Sequence, residues 1–189
     1  MDITETRLPG VLRIVPRRFA DTRGYFSETW NARRMAEAGL DIAFVQDNHS
    51  YSAARFTVRG LHYQRPPHAQ GKLVRVVRGA IRDVAVDVRR GSPRFGQWVA
   101  EDLSAENGAQ LWIPRGFLHG FVTLEPDTEV AYKVDGHYSA ECDGAVRFDD
   151  PDLGIDWAIP AGAAVLSDKD AAAPAFRDFA SPFTLEDTR

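Results

Sequence analysis

From residue 73 to residue 88 the chain is dominated by Val, Ile and Ala, and Arg78-Gly79 interrupts that run at a spacing that suits a hairpin turn. Just ahead of it Arg59, His62 and Lys72 stand in or beside short β-type runs punctuated by Gly60 and Gly71. Ionisable groups at strand positions are costly unless they are paired or a cavity solvates them. A small barrel whose interior is a ligand site meets both demands. The stretch 58–88 therefore predicts a mainly β fold with a functional mouth.

The rest of the chain agrees with that frame. Residues 11–15 read as a short strand after the Pro9-Gly10 turn, and 21–24 as a turn before the aromatic–polar alternation of 25–30. Asn31 can cap a short helix over 32–38 that ends at Gly39. Residues 44–50, 56–58, 95–103 and 110–114 read as strands or their approaches, and 114–121 as a tight turn feeding another strand. Over 128–134 the alternation is clean: Thr128, Val130, Tyr132 and Val134 share one face, which puts Tyr132 inward. From 136 on the chain is rich in Asp, Gly, Pro and Ala, with strands at most over 145–148 and 158–159. Many short strands with a turn signal every ten residues or so predict an antiparallel barrel or jelly roll. The expected organisation is one domain over 1–189: arm strands over 1–20, a barrel over 21–135, and an irregular wrap over 136–189.

A net charge of −4 offers no footprint for nucleic acid or an anionic membrane. Cys142 is the one cysteine, which excludes an intrachain disulfide and a cysteine metal cluster. No apolar run approaches membrane-spanning length, and the protein is expected in the cytoplasm.

The chemistry rests on a few side chains. The segment Pro114-x-Gly116-x-x-His119-x-Phe121 resembles the second motif of the cupin superfamily, in which that histidine often binds metal. A metal-binding cupin would also carry His-x-His and a carboxylate in its first motif, whereas the matching region reads Gly60-Leu61-His62-Tyr63-Gln64. A divalent site needs three or more converging ligands, and His62 and His119 supply two at most. A metal-free site is expected. Histidine, with an ordinary pKa of about 6.5, is the usual general base near neutral pH. Lys72 and His119 are suitable donors to an oxygen that becomes negative. An inward Tyr132 can move a proton on the other side. Together these make a kit for proton abstraction next to a carbonyl and reprotonation of the opposite face. Taken singly, each residue type is more often a hydrogen-bonded core or surface group, and Arg23 and Glu28 read most simply as a solvated turn and strand edge.

The motifs Asp21-x-Arg23-Gly24-x-Phe26-x-Glu28, Gln46-Asp47-Asn48-His49-Ser50, Arg59-Gly60-Leu61-His62-Tyr63-Gln64, Gln70-Gly71-Lys72 and Tyr132-Lys133 continue through Tyr138 to Leu166-Ser167-x-Lys169-Asp170. Together they cover nearly the whole chain, and the chain resembles the dTDP-4-dehydrorhamnose 3,5-epimerase family, nucleotide-sugar epimerases of cupin-like fold. The resemblance implies a double-stranded β-helix (jelly-roll) fold, no cofactor, a dTDP-4-keto-6-deoxy sugar as substrate, and a homodimer whose N-terminal strands reach the neighbour. It implies His62 as the base, Asp170 as its carboxylate partner, Tyr132 as the opposing acid, and Lys72 and His119 near the reacting sugar and its 4-keto oxygen. Arg23 and Arg59 match nucleotide and phosphate contacts. Glu28, Gln46, Asp47, Asn48 and Lys169 match further substrate contacts, and Tyr138 matches the ring that stacks on thymine. Either Glu141 or Asp143 matches an acidic contact, the spacing favouring Asp143.

Inversion at both C3 and C5 is the expected activity. A single-site 3- or 5-epimerase shares the same residues. A ketoisomerase is disfavoured because Tyr132 and Lys169-Asp170 are all present. Two other classes compete: a metal-dependent cupin enzyme, which bound metal would reveal, and a sugar-nucleotide-binding module without catalysis, which loss of His62, Asp170 or Tyr132 would have favoured.

Overall fold

The computed structural model describes residues 1–186, so the last three residues of the expected tail wrap lie outside the described residues. The strands are β1 (Asp2–Glu5), β2 (Leu12–Val15), β3 (Arg18–Asp21), β4 (Gly24–Ser27), β5 (Gln46–Ser52), β6 (Val58–Gln64) and β7 (Lys72–Arg78). They continue as β8 (Ala80–Asp87), β9 (Trp98–Ser104), β10 (Gln110–Ile113), β11 (Phe117–Thr123), β12 (Thr128–Val134) and β13 (Asp143–Ala145). Beside the strands lie two short helices, α1 (Ala32–Glu37) and α2 (Asp168–Ala171), and a 3₁₀ turn at Phe176–Asp178. No helix among the described residues is long and apolar enough to cross a membrane.

One sheet runs β1-β2-β10-β7-β12-β5 and the other β13-β6-β11-β8-β9, while β3 and β4 form a hairpin of their own. Alternation explains the layering. Val74, Val76, Leu111, Ile113 and Val130 of the first sheet meet Ile81, Ala85, Val99, Leu103, Phe117 and Phe121 of the second in one buried cluster. The expected jelly roll is therefore two facing sheets that keep open edges at β1, β5, β13 and β9, rather than a cylinder closed by hydrogen bonds. The outward residues of the five-stranded sheet, among them Val84, Val86, Leu118 and Val122, are covered by Val146, Leu153, Trp157 and Phe183 of the tail. On the outer face of the other sheet, Ile14, Leu73 and Trp112 pack against Met35 of α1, with Trp30 and Phe44 at the margin.

The expected boundaries shift at three places. β9 starts at Trp98 because residues 92–97 form a turn, with Gly96 at φ +77 and its N–H donating to the Asp87 carbonyl. The tail strand comes earlier than expected, at Asp143–Ala145, where β13 pairs with His62, Tyr63 and Gln64. No strand forms over 158–159, because Ala158 takes φ +53 in a turn closed by the Asp156 carboxylate. The helix matches its reading: Asn31 Oδ1 accepts from the Arg34 N–H, and Gly39 (φ +86) follows the C-cap. Within this chain β2 pairs with β10 and carries β1 outside it.

Candidate active site

The site begins with an irregularity between β6 and β11. His62 stands opposite His119, but Arg59 stands opposite Phe121, so three residues of β6 are spanned by two of β11. Such a bulge re-aims the side chains beyond it. Strict alternation would send Arg59 and His62 to opposite faces, whereas here both line one cavity. Gly60 makes the bulge possible. It takes φ +125, and a Cβ there would lie 2.6 Å from the Gly120 Cα.

Two histidine–aspartate couples sit side by side on this frame. His62 Nε2 is 2.6 Å from Asp170 Oδ1, and His119 Nε2 is 2.6 Å from Asp83 Oδ1. Asp170 arrives from the tail on α2, whose N-cap Ser167 accepts the Asp170 N–H through its hydroxyl. Asp83 arrives from β8, where alternation with Ile81 and Ala85 turns it to the inner face. Lys72, at the start of β7, places Nζ 3.5 Å from His119 Nδ1. Tyr132 of β12 stands opposite Val74 of β7 and Asn48 of β5.

His62, Asp170, Lys72, His119, Tyr132, Arg59 and Lys169 line a cavity of about 350 Å³. A second cavity of about 390 Å³ shares His62, Lys72, Tyr132 and Lys169 and adds Gln46, Asn48, Tyr138 and Asp143. The two form one basin whose outer part ends at the exposed ring of Tyr138. There Gln46 accepts the Tyr138 N–H and donates to Asn48, and Lys169 is ion-paired with Asp143. Arg59 is anchored from behind by donating to Ser52 Oγ and to the Tyr51 carbonyl.

Burial and charge tune these groups. Burial pushes the Lys72 ammonium down to about 8, with Asp83 and Asp143 opposing. Burial also lowers His119, aided by Lys72 and resisted by Asp83. For Asp170, burial disfavours the charge, but the bonds from His62, Ser167 and the Gly60 backbone outweigh it and hold the carboxyl below its usual value. Tyr132 is raised by burial, with Arg59 working the other way. With Nε2–H given to Asp170, the lone pair of His62 is left on Nδ1, ready to take a proton.

Not every expected residue joins the basin. Asp47 points to the opposite face of β5, where its carboxylate pairs with Lys133 at 2.8 Å. Arg23 lies on the β3–β4 hairpin, held by Asp21 at 2.6 Å and largely exposed. Glu28 turns to Asn31 and Arg34 beside α1. Of the two acidic alternatives, Asp143 lines the basin, while Glu141 is exposed. Asp83 and Ser167 carry no role in the sequence reading. The pattern Asp83-Val84-Ala85-Val86-Asp87, a carboxylate on the inward phase of an apolar strand, was the available signal for the first. The Ser-x-x-Asp spacing of 167–170 was the signal for the second. Among the described residues no group of three or more His, Cys, Asp or Glu side chains is disposed to hold a metal ion. Each histidine of the basin is instead paired with its own aspartate.

The comparisons with known proteins point the same way. The family model described as dTDP-4-dehydrorhamnose 3,5-epimerase matches residues 5–178. The dTDP-4-dehydrorhamnose 3,5-epimerase of Sinorhizobium fredii is 53% identical over 174 residues, covering 92% of this chain and 86% of that protein. That of Pseudomonas aeruginosa is 51% identical over 179 residues, covering 94% and 97%. The crystal structure of the Legionella pneumophila dTDP-6-deoxy-D-glucose-3,5-epimerase, solved with dTDP-4-keto-L-rhamnose, superposes with a TM-score of 0.90 at 44% identity, covering 95% of this chain and 94% of that one. Two facing sheets, a His–Asp couple spanning 108 residues of sequence and a match over nearly the full length converge on one assignment: the chain belongs to the dTDP-4-dehydrorhamnose 3,5-epimerase family.

Proposed function

We propose that this chain is a cytoplasmic, homodimeric isomerase that inverts C3 and C5 of a dTDP-4-keto-6-deoxy sugar, as in the formation of dTDP-L-rhamnose-type sugars, and that needs no cofactor. The observation that carries the reading is the His62–Asp170 couple, closed at 2.6 Å, in one cavity with Tyr132 and Lys72. The 4-keto group acidifies the hydrogens on both neighbouring carbons. His62 Nδ1 takes the proton, and the C–H electron pair moves onto the ketone oxygen as an enolate. The ammonium of Lys72 stabilises that charge. Tyr132 then gives its phenolic proton to the opposite face of the carbon as the enolate collapses back to the ketone. His62 returns its proton to solvent and Tyr132 regains one, so the cycle closes without redox change. Asp170 holds the imidazole in the productive tautomer and stabilises its cation. One base and one acid serve both carbons if the ring shifts between steps.

The outer basin suits the nucleotide. Tyr138 offers an exposed ring to the thymine, the Arg59 fork suits diphosphate oxygens, and Lys169, Asp143, Gln46 and Asn48 surround the path between. The hairpin of β3 and β4 exposes Phe19, Tyr25 and, at 70%, Phe26, apolar rings along its strands that support burial against a second copy. A second copy's hairpin would carry Arg23 to this basin, with Glu28 following directly after its β4. The deciding measurement is NMR with dTDP-4-keto-6-deoxyglucose in deuterated water. Deuterium at both C3 and C5 with inversion is expected. Exchange at one carbon alone would make this a single-site epimerase, and no exchange would reject the activity.

A further inference from the structure

His119 has no hydrogen-bond donor left to give a substrate. A neutral imidazole has one N–H and one lone pair. Nε2 lies 2.6 Å from Asp83 Oδ1, and a carboxylate accepts, so the N–H is committed there. Nδ1 lies 3.5 Å from Lys72 Nζ, and an ammonium donates, so the lone pair is committed there. Only a doubly protonated ring could spare a proton, and burial, reinforced by the neighbouring ammonium, outweighs the pull of Asp83 toward that form.

Asp83 poses the matching question. It is fully buried, and among the described residues its Oδ2 has no hydrogen-bond partner and no lysine or arginine pairs with it directly. A buried carboxylate without a cation is costly, and so is the desolvated ammonium of Lys72, which has no ion-pair partner among the described residues. Set on either side of a neutral imidazole, the two charges answer each other. Resting on the epimerase reading above, we propose that Asp83 and His119 act on the reaction through Lys72: they hold its ammonium in place, and Lys72, not His119, donates to the developing enolate oxygen. Asp83 and His119 are thus positioning residues, and two of the three Lys72 N–H groups stay free for the substrate.

The other charged and titratable groups around Lys72 do not replace this support. Asp143 of β13 is already paired with Lys169 of α2, and Lys169 itself repels the ammonium. His62 of β6 is bound to Asp170, and Tyr132 of β12 bears no negative charge near neutral pH.

The test compares Lys72→Met, His119→Ala and the double variant of the full chain, reading deuterium exchange from solvent into dTDP-4-keto-6-deoxyglucose. Lys72→Met should lose about 100-fold or more. Adding His119→Ala to it should then cost less than about threefold, because the path through Lys72 is already gone. Asp83→Asn, isosteric with the native side chain, should move the alkaline limb of kcat/KM down by about one pH unit as the ammonium loses its counter-charge. Losses that multiply in the double variant, or an unmoved alkaline limb, would overturn the proposal while leaving the epimerase reading intact. A wild-type protein inert toward this substrate would overturn that reading, and the proposal with it. Should a variant fail to fold, ¹⁵N NMR of wild-type His119 decides: the neutral Nε2–H tautomer at pH 7 is expected, and an Nδ1–H or doubly protonated ring overturns the proposal.

Discussion

At the scale of single residues, the basin divides its labour by which atom is already occupied. On the proposed mechanism His62, with Nε2 bound to Asp170, takes the substrate proton through Nδ1, so His62→Asn should abolish deuterium exchange at both carbons. Retained exchange at either would mean another base is at work. Asp170→Asn should keep the fold and lower kcat by about 100-fold or more, because the imidazole loses the partner that selects its tautomer. An unchanged kcat would remove Asp170 from the mechanism. Tyr132→Phe keeps the ring in place, so thermal stability should change by about 1 kcal/mol or less. Proton removal by His62 should survive as solvent exchange at C3 at least, while inverted product falls much further. Equal loss of both would make Tyr132 a positioning group only. Lys72 supplies the pH dependence. Its ammonium is pushed down to about 8, so activity should fall as pH rises through that value. Stability should move oppositely. The unfolded chain holds more protons than the folded one between about 8 and the ordinary lysine value of 10.5, so stability gains with pH across that window. Urea unfolding at pH 7.5 and 9.5, with Lys72→Met as the reference, checks the sign. Lys72→Met should remove the difference.

At the scale of elements, the site depends on one bulge and one capped turn. The bulge at Gly60 lets Arg59 and His62 face the same cavity although they are three residues apart. Gly60→Ala adds a Cβ 2.6 Å from the Gly120 Cα and 2.7 Å from the His119 carbonyl oxygen, at a φ that L residues avoid. It should destabilise the protein by roughly 2–4 kcal/mol and remove most activity, because relief of the clash disturbs both histidines. A stable and fully active variant would mean that the bulge is dispensable. α2 is held by Ser167, so Ser167→Ala should cost about 1 kcal/mol and lower kcat more than it changes KM. The element's task is to present Asp170 from a tail far away in sequence, and loosening it loosens the base.

At the scale of the whole molecule, the exposed rings of Phe19, Tyr25 and Phe26 predict assembly. Phe26→Ser with Tyr25→Ser should shift the protein from dimer toward monomer in sedimentation velocity and weaken nucleotide binding. A wild-type monomer at micromolar concentration would reject the dimer. The two-sheet fold was legible in the chain because alternation and glycine punctuation act locally. The inward face of β12 and the cap at Asn31 follow from rules that span a few residues. His62, Lys72, His119 and Tyr132 were legible too, as polar side chains on strands that have no reason to bury them otherwise. What local rules could not decide was pairing. No spacing within the chain says that Asp170 meets His62 across 108 residues, or that Asp83 of an apolar strand meets His119. Nor could alternation foresee that Arg59 joins His62, because the bulge breaks the period on which that argument rests. Asp47 shows the converse: its motif marks it for the substrate, but a residue between two inward neighbours must face out, and it pairs with Lys133. The side-chain chemistry and the strand period are properties of the sequence alone. Which charges share a cavity, and therefore which nitrogen of each histidine stays free, was decided only when the tail and the two sheets closed over one another.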